Sequence, residues 1–153
     1  MKGLGNLLDK DMILLDKEAN NKEEIINISI KLLGKNKHIK NKEAVLSALL
    51  KRESMGTTGI GHGVALPHAR TSAVSQIVLA FIRTKNGIDF GAVDKELVNL
   101  IFIAVSPEND TDSYMEVMAS VARILSKEEN RKLLMEVESP KKLISVIKEI
   151  ESF

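Results

Sequence analysis

Apolar positions fall into distinct runs along this chain, and each kind of run predicts a different element. Over residues 22–33, Ile25, Ile26, Ile30 and Leu33 recur at helical spacing, with Asn20 or Asn21 placed to cap the start and Gly34 the end. Residues 42–53 repeat the pattern, with Val45, Leu46, Leu49 and Leu50 as the expected buried stripe. Two other runs, QIVLAFI (76–82) and LVNLIFIAV (97–105), do not alternate with polar residues. That predicts strands covered on both faces, the position of a sheet between helical layers.

Shorter strands are expected at Met12–Leu15 and Val64–Leu66. Leu66 precedes a proline and is biased to extended geometry, while Pro67 lacks a ladder donor and is expected to end the pairing. Residues 55–63 hold four glycines and two threonines and read as loop or frayed strand, and GIDFGAVDKE (87–96) reads as a turn-rich connection. Three helices close the chain. Ser113 with Glu116 and Ser126 with Glu129 have capping-box spacing, and Ser139 before Pro140 reads as an N-cap with proline in the first turn. Helices at both ends with strands between them predict a three-layer α/β sandwich.

Composition narrows the function. A length of 153 residues suits one domain with a real core, expected to span 1–153. Net charge is +1 from 22 basic and 21 acidic residues, and there are four phenylalanines, one tyrosine and no tryptophan. Neither the basic footprint nor the stacking surface of a nucleic-acid binder is present. The absence of cysteine excludes disulfides, thiolate catalysis and Cys-type zinc sites. The start, MKGLGNLLDKDMILLD, has no uninterrupted apolar stretch, and no later run reaches membrane length, so a cytoplasmic protein without membrane insertion is expected.

The stretch GIGHGVALPHAR (59–70) holds two of the three histidines and three of the nine glycines. Nucleotide binding fits it poorly, because dinucleotide folds run strand, glycine loop, helix, whereas here the loop follows a helix and leads into a strand. The spacing GIGHG is not GxGxxG, and no Lys-Ser/Thr follows. His62 and His68 stand roughly 20 Å apart if the chain is extended, too far to share a metal. No GxSxG motif supports a serine nucleophile. A histidine nucleophile remains. With an ordinary pKa of about 6.5, His68 keeps a free lone pair near neutral pH, and its place after Pro67 lets the ring project from the sheet edge. The alternative is a half-buried histidine satisfying a turn.

The string RESMGTTGIGHGVALPHAR resembles the signature of the fructose/mannitol-type enzyme IIA domain of the bacterial phosphoenolpyruvate-dependent sugar phosphotransferase system. The matching residues are Ala65, Leu66, Pro67, His68 and Ala69, with Arg52 and Glu53 ending the preceding helix and the Gly/Thr segment Gly56–Gly59 after them. IDFGAVDKELVNLIFIAVSPE (88–108) resembles the fructose-type branch. The resemblance implies a mixed central β-sheet with helices on both faces. It also implies that His68 accepts a phosphoryl group on Nε2 from the phosphocarrier HPr and passes it to a cysteine of a IIB domain serving a IIC permease. Arg52 would then hold the phosphoryl group, with no metal or organic cofactor, and the glycines would clear a docking surface and line a phosphate cradle.

One position departs from the family. Relatives carry a second histidine near the start of the helix after the second long strand, and Tyr114 stands there instead. Tyr114 is either a substitute hydrogen-bond donor toward His68 or an ordinary half-buried aromatic. His62 is either a loop residue or a substitute active-site partner. His38, in the Lys/Asn-rich stretch 34–43, reads as surface, and Arg70 as either a partner contact or a solvated strand-end charge. Two functions of different class fit the resemblance: a sugar-transport phosphocarrier, and a regulatory module of the nitrogen-related branch that docks according to its phosphorylation state. A degenerate domain ranks third, because His68 and Arg52 are both intact.

Overall fold

A computed structural model describes residues 3–152. A short helix α1 (Leu4–Leu7) and a 3-10 turn lead into β1 (Ile13–Lys17), followed by α2 (Lys22–Leu33) and α3 (Lys42–Ser54). The short strands β2 (Gly59–Gly61), β3 (Val64–Ala65) and β4 (His68–Arg70) precede the long pair β5 (Val78–Ile88) and β6 (Val98–Ser106). The chain then forms α4 (Thr111–Leu125), α5 (Glu128–Glu136) and α6 (Pro140–Glu151). Among the described residues no helix is long and apolar enough to cross a membrane.

The sheet runs in the order β1-β5-β6-β3-β2, with β4 also beside β6. It is mixed: β1 lies parallel to β5 and β3 and β4 parallel to β6, while β5–β6 and β2–β3 are antiparallel. Helices α2 and α3 pack together on the sheet, and α1, α4, α5 and α6 form a second group. Residues 78–84 of β5, and every residue of β6 except Asn99, are buried. Strands covered on both faces between two helical groups make the three-layer α/β sandwich that the apolar runs predict.

Several local expectations need correction, each for a physical reason. Pro67 interrupts the ladder but does not end it. Val64, Ala65, His68, Ala69 and Arg70 pair in one continuous register with Leu100, Ile101, Ala104, Val105 and Ser106. Proline forfeits a donor yet keeps its acceptor, and the Pro67 carbonyl takes the Ala104 N–H at 3.1 Å. Similarly, β5 continues past Ile82, and its buried Arg83 finds polar partners there. The Arg83 guanidinium donates to the carbonyls of Leu134 and Val137 at 3.1 and 2.6 Å and pairs with Asp16 at 3.0 Å.

In α3, Leu50 is exposed, and the buried stripe is Val45, Leu49 and Glu53, one residue on every fourth position. A carboxylate occupies a core position there because the loop beyond the helix supplies its partners. The cap of α4 is Asp110, whose side chain accepts from the Ser113 N–H at 3.2 Å, rather than Ser113 itself. Ser126 ends α4 instead of capping α5, its hydroxyl donating to the Arg123 carbonyl at 2.8 Å. Lys127 occupies the α5 cap position without a side-chain bond. Asn21, Asn41 and Ser139 cap their helices through side-chain oxygens.

Candidate functional site

Because β4 and β6 are parallel, they finish at the same edge of the sheet, and α4 starts just beyond β6. His68 at the start of β4, Arg52 in the last turn of α3 and Tyr114 in the first turn of α4 converge there. The imidazole is anchored first by its own strand. His68 Nδ1 lies 2.8 Å from the Leu66 carbonyl, an oxygen with no proton to offer, so Nδ1–H donates and the lone pair resides on Nε2. Arg52 meets that lone pair, its Nε–H donating to His68 Nε2 at 3.1 Å. Nη1 of the same guanidinium donates to the Gly56 carbonyl at 2.8 Å, which fixes its plane.

Glu53 makes this placement rigid. Buried at 7% exposure, it accepts from the Thr58 N–H at 2.9 Å and the Thr58 hydroxyl at 2.5 Å, and pairs with Lys22 at 3.3 Å. The Thr57 hydroxyl donates to the Phe90 carbonyl and accepts from the Gly59 N–H. The Arg-Glu pair is therefore divided between two tasks: Arg52 faces the imidazole, and Glu53 locks the chain that turns out of the helix.

The Tyr114 ring centroid lies 5.9 Å from that of His68, with the planes tilted by 53°. The Arg70 guanidinium sits over the Tyr114 ring, 5.3 Å from its centroid, and donates to the Glu108 carbonyl and to the Thr111 hydroxyl. Burial pushes the His68 pKa below its ordinary 6.5, and the Arg52 charge pushes the same way. The bond to the Leu66 carbonyl and the Glu53 carboxylate oppose this without reversing it. Burial raises the Tyr114 phenol above its usual value, against the pull of Arg52 and Arg70. At neutral pH the site therefore presents a neutral imidazole whose lone pair faces Arg52, a protonated phenol and two arginines.

The structure does not bring His62 to this site. His62 occupies the turn between β2 and β3 at φ 57°, with its N–H donating to Asp94 at 2.8 Å, at the far end of the strand that leads to His68. Gly61 and Gly63 on either side have φ of 95° and 79°, the left-handed geometry that a tight turn takes most easily with glycine. These glycines therefore build a hairpin and do not line a cradle at His68; of the glycine-rich segment, Gly56 touches the site, through its carbonyl. His38 lies in the α2–α3 connection, its Nδ1 3.1 Å from the Ser75 hydroxyl. Among the described residues no three His, Asp or Glu side chains gather as a metal site.

The family model for the phosphoenolpyruvate-dependent sugar phosphotransferase system, EIIA 2, matches residues 6–150. The chain belongs to this EIIA family. EIIA domains are phosphotransferase components phosphorylated on histidine, and this chain is one of them. It is 36% identical over 141 residues to the fructose-specific EIIABC component of Bacillus subtilis, covering 92% of this chain and 22% of that protein. It is 34% identical over 140 residues to the fructose-specific EIIA component of Haloferax volcanii, covering 92% and 91%. The chain thus spans about a fifth of the first relative's length and nearly all of the second's. Among solved structures, nitrogen regulatory protein IIA-Ntr of Neisseria meningitidis superposes with a TM-score of 0.88 at 35% identity, over 94% of this chain and 98% of that one. The mannitol IIA of Escherichia coli shares the fold, with a TM-score of 0.78 at 23% identity over 91% and 97%.

Two residues of this EIIA site escape a reading of the sequence by pattern. Arg70 reads there as either a partner contact or a solvated strand-end charge, and its contacts with Thr111 and Tyr114 emerge only when α4 is placed beside β4. The importance of Glu53 carried a faint signal: it stands at the helical spacing of Val45 and Leu49 and is followed by two threonines able to donate to it.

Proposed function

We propose that this EIIA chain, acting as one domain, carries a phosphoryl group on His68 Nε2 between the phosphocarrier HPr and a cysteine of a IIB domain in a sugar-specific permease complex. One observation carries the reading: the Leu66 carbonyl holds the proton on Nδ1 and leaves Nε2 as a lone pair facing a guanidinium. In the first step Nε2 attacks phosphorus in line. The new P–N bond forms as the donor's bond to phosphorus breaks, and that electron pair leaves with the donor. His68 keeps its Nδ1 proton, and the Leu66 carbonyl stabilises the positive charge that develops on the ring. In the second step a thiolate attacks, a P–S bond forms, and the pair returns to Nε2. Neither step requires a metal, and positioning with charge stabilisation is the main demand.

Arg52 acts in both steps. With Nη1 fixed on Gly56, its Nε–H and Nη2–H form one edge, suited to two oxygens of the phosphoryl group once Nε2 is occupied. The Tyr114 phenol supplies a neutral donor in place of the family's second histidine. Met55, 75% exposed beyond Arg52, and Met115, 59% exposed beside Tyr114, offer soft apolar contacts to partners that dock and leave. The Escherichia coli mannitol IIA has been solved in complex with its phosphorylated IIB, which supports a IIB partner for this fold.

The similarity to IIA-Ntr favours a second reading, a regulatory module whose docking depends on His68 phosphorylation. Incubation with phosphoenolpyruvate, enzyme I, HPr and candidate IIB proteins decides between them. The carrier reading expects one added phosphoryl group by intact mass, acid-labile and absent in His68→Ala, that moves on to a IIB cysteine. A phosphorylated His68→Ala protein would overturn the site, and a phosphoryl group that no IIB accepts would favour regulation.

A further inference from the structure

Arg70 stands two residues beyond His68 on β4, so both side chains leave the same face of the strand. Although exposed, Arg70 is not a solvated charge. Its Nη2 donates to the Glu108 carbonyl at 2.5 Å and to the Thr111 hydroxyl at 2.7 Å. Glu108 belongs to the loop after β6, and Thr111 is the first residue of α4. The same guanidinium lies over the ring of Tyr114, 5.3 Å from its centroid, and that centroid is 5.9 Å from the His68 ring. One side chain from the strand that carries the nucleophile thus grips the start of α4 and the aromatic ring within its first turn.

We propose that Arg70 is a positioning residue for phosphoryl transfer, clamping the first turn of α4 so that the Tyr114 phenol is held at the His68 imidazole. This rests on the carrier reading of His68. The task needs an arginine. A planar guanidinium donates from its edge while its face lies on an aromatic ring, whereas an ammonium offers a point charge with neither the fork nor the stacking plane. Arg70→Lys therefore retains the charge and removes the clamp.

Tyr114 is the single tyrosine, and the chain has no tryptophan, so the near-ultraviolet circular dichroism band of tyrosine reports this ring alone. In the unphosphorylated protein that band should be strong in wild type and largely lost in both Arg70→Lys and Arg70→Ala, with the far-ultraviolet spectrum unchanged. Phosphoryl transfer in both variants should slow by about tenfold in kcat, the loss of one positioned donor, with KM for phospho-HPr within about twofold. In a Tyr114→Phe background, Arg70→Ala should produce no further slowing, because Arg70 acts through the phenol. An unchanged tyrosine band in Arg70→Ala overturns the clamp. A raised KM, or the same slowing in the Tyr114→Phe background, overturns the positioning role and makes Arg70 a direct partner contact. Failure of wild type to take phosphate on His68 would instead refute the carrier reading, and the tyrosine band would still decide whether Arg70 holds the ring.

Discussion

Replacing Arg52 separates charge from geometry at the site. The guanidinium is held by Gly56 through Nη1 and faces His68 Nε2 with the edge formed by Nε and Nη2. In the transition state that edge can make two charge-assisted hydrogen bonds to equatorial phosphoryl oxygens. Such bonds contribute about 1.5–3 kcal/mol each, and a site open to solvent on one side belongs at the lower end. Arg52→Ala removes both, about 3 kcal/mol, which slows transfer roughly 100-fold. Arg52→Lys keeps a cation and one bond and should slow transfer roughly tenfold. Alanine also removes a charge that favours the neutral imidazole, so the His68 pKa should rise, a change visible by NMR titration of the ring. The assay is quench-flow transfer from phospho-HPr, read by intact mass, with thermal unfolding as the control for folding. An exposed helix-end ion pair would contribute only about 0–1 kcal/mol to stability and nothing to transfer. Transfer rates within about twofold of wild type for both variants would refute the reasoning.

Three further outcomes are expected. Because burial sets the folded pKa of His68 below the unfolded value of 6.5, the unfolded chain binds the extra proton; the stability from a neutral His68 is full above pH 6.5 and is lost as pH falls through the lowered folded value. Phosphoryl acceptance should fall over the same acid range, and a rate midpoint above pH 6.5 would contradict the assignment. Tyr114→Phe should fold normally, still accept phosphate on His68, and transfer about 10- to 150-fold more slowly if its hydrogen bond is made mainly in the transition state, whereas a rate within about twofold of wild type would leave Tyr114 as packing. Glu53→Ala should cost about 2–4 kcal/mol in urea unfolding, since it strands the buried Thr58 N–H and hydroxyl, while Glu53→Gln keeps an acceptor and should cost less than half as much.

Much of the architecture was legible in linear order. The helical stripe of α2, the existence of α3, the two non-alternating runs of β5 and β6, and the Ser139–Pro140 start of α6 all stand where periodicity and capping chemistry predict them. Where local signals competed, the reading failed. Asp110, Thr111, Asp112 and Ser113 include several residues able to cap α4, and no spacing says that Asp110 wins. Leu50, expected in the buried stripe, faces solvent, and Glu53 is buried because its partners lie beyond the helix, in the loop at Thr58.

The sequence by itself narrowed which side chains could do chemistry: with no cysteine, no nucleotide loop and a Pro-His step after an apolar strand, it offers His68 as a candidate nucleophile beside the alternative of a turn histidine, and the resemblance to the EIIA signature favours the nucleophile. Only the tertiary structure decided that Arg70 joins Arg52 and Tyr114 around it and that His62 does not. Residues Arg52, Arg70 and Tyr114 come from three elements, and their meeting depends on β4 running parallel to β6, so that both strands end where α4 begins. The same topology leaves His62 at the opposite end of the strand, although it lies nearer to His68 in the chain than Arg52 or Tyr114 does. Periodicity is a local property, set by which face of each element is apolar. Convergence depends on how those faces stack, and that information is distributed over the whole core.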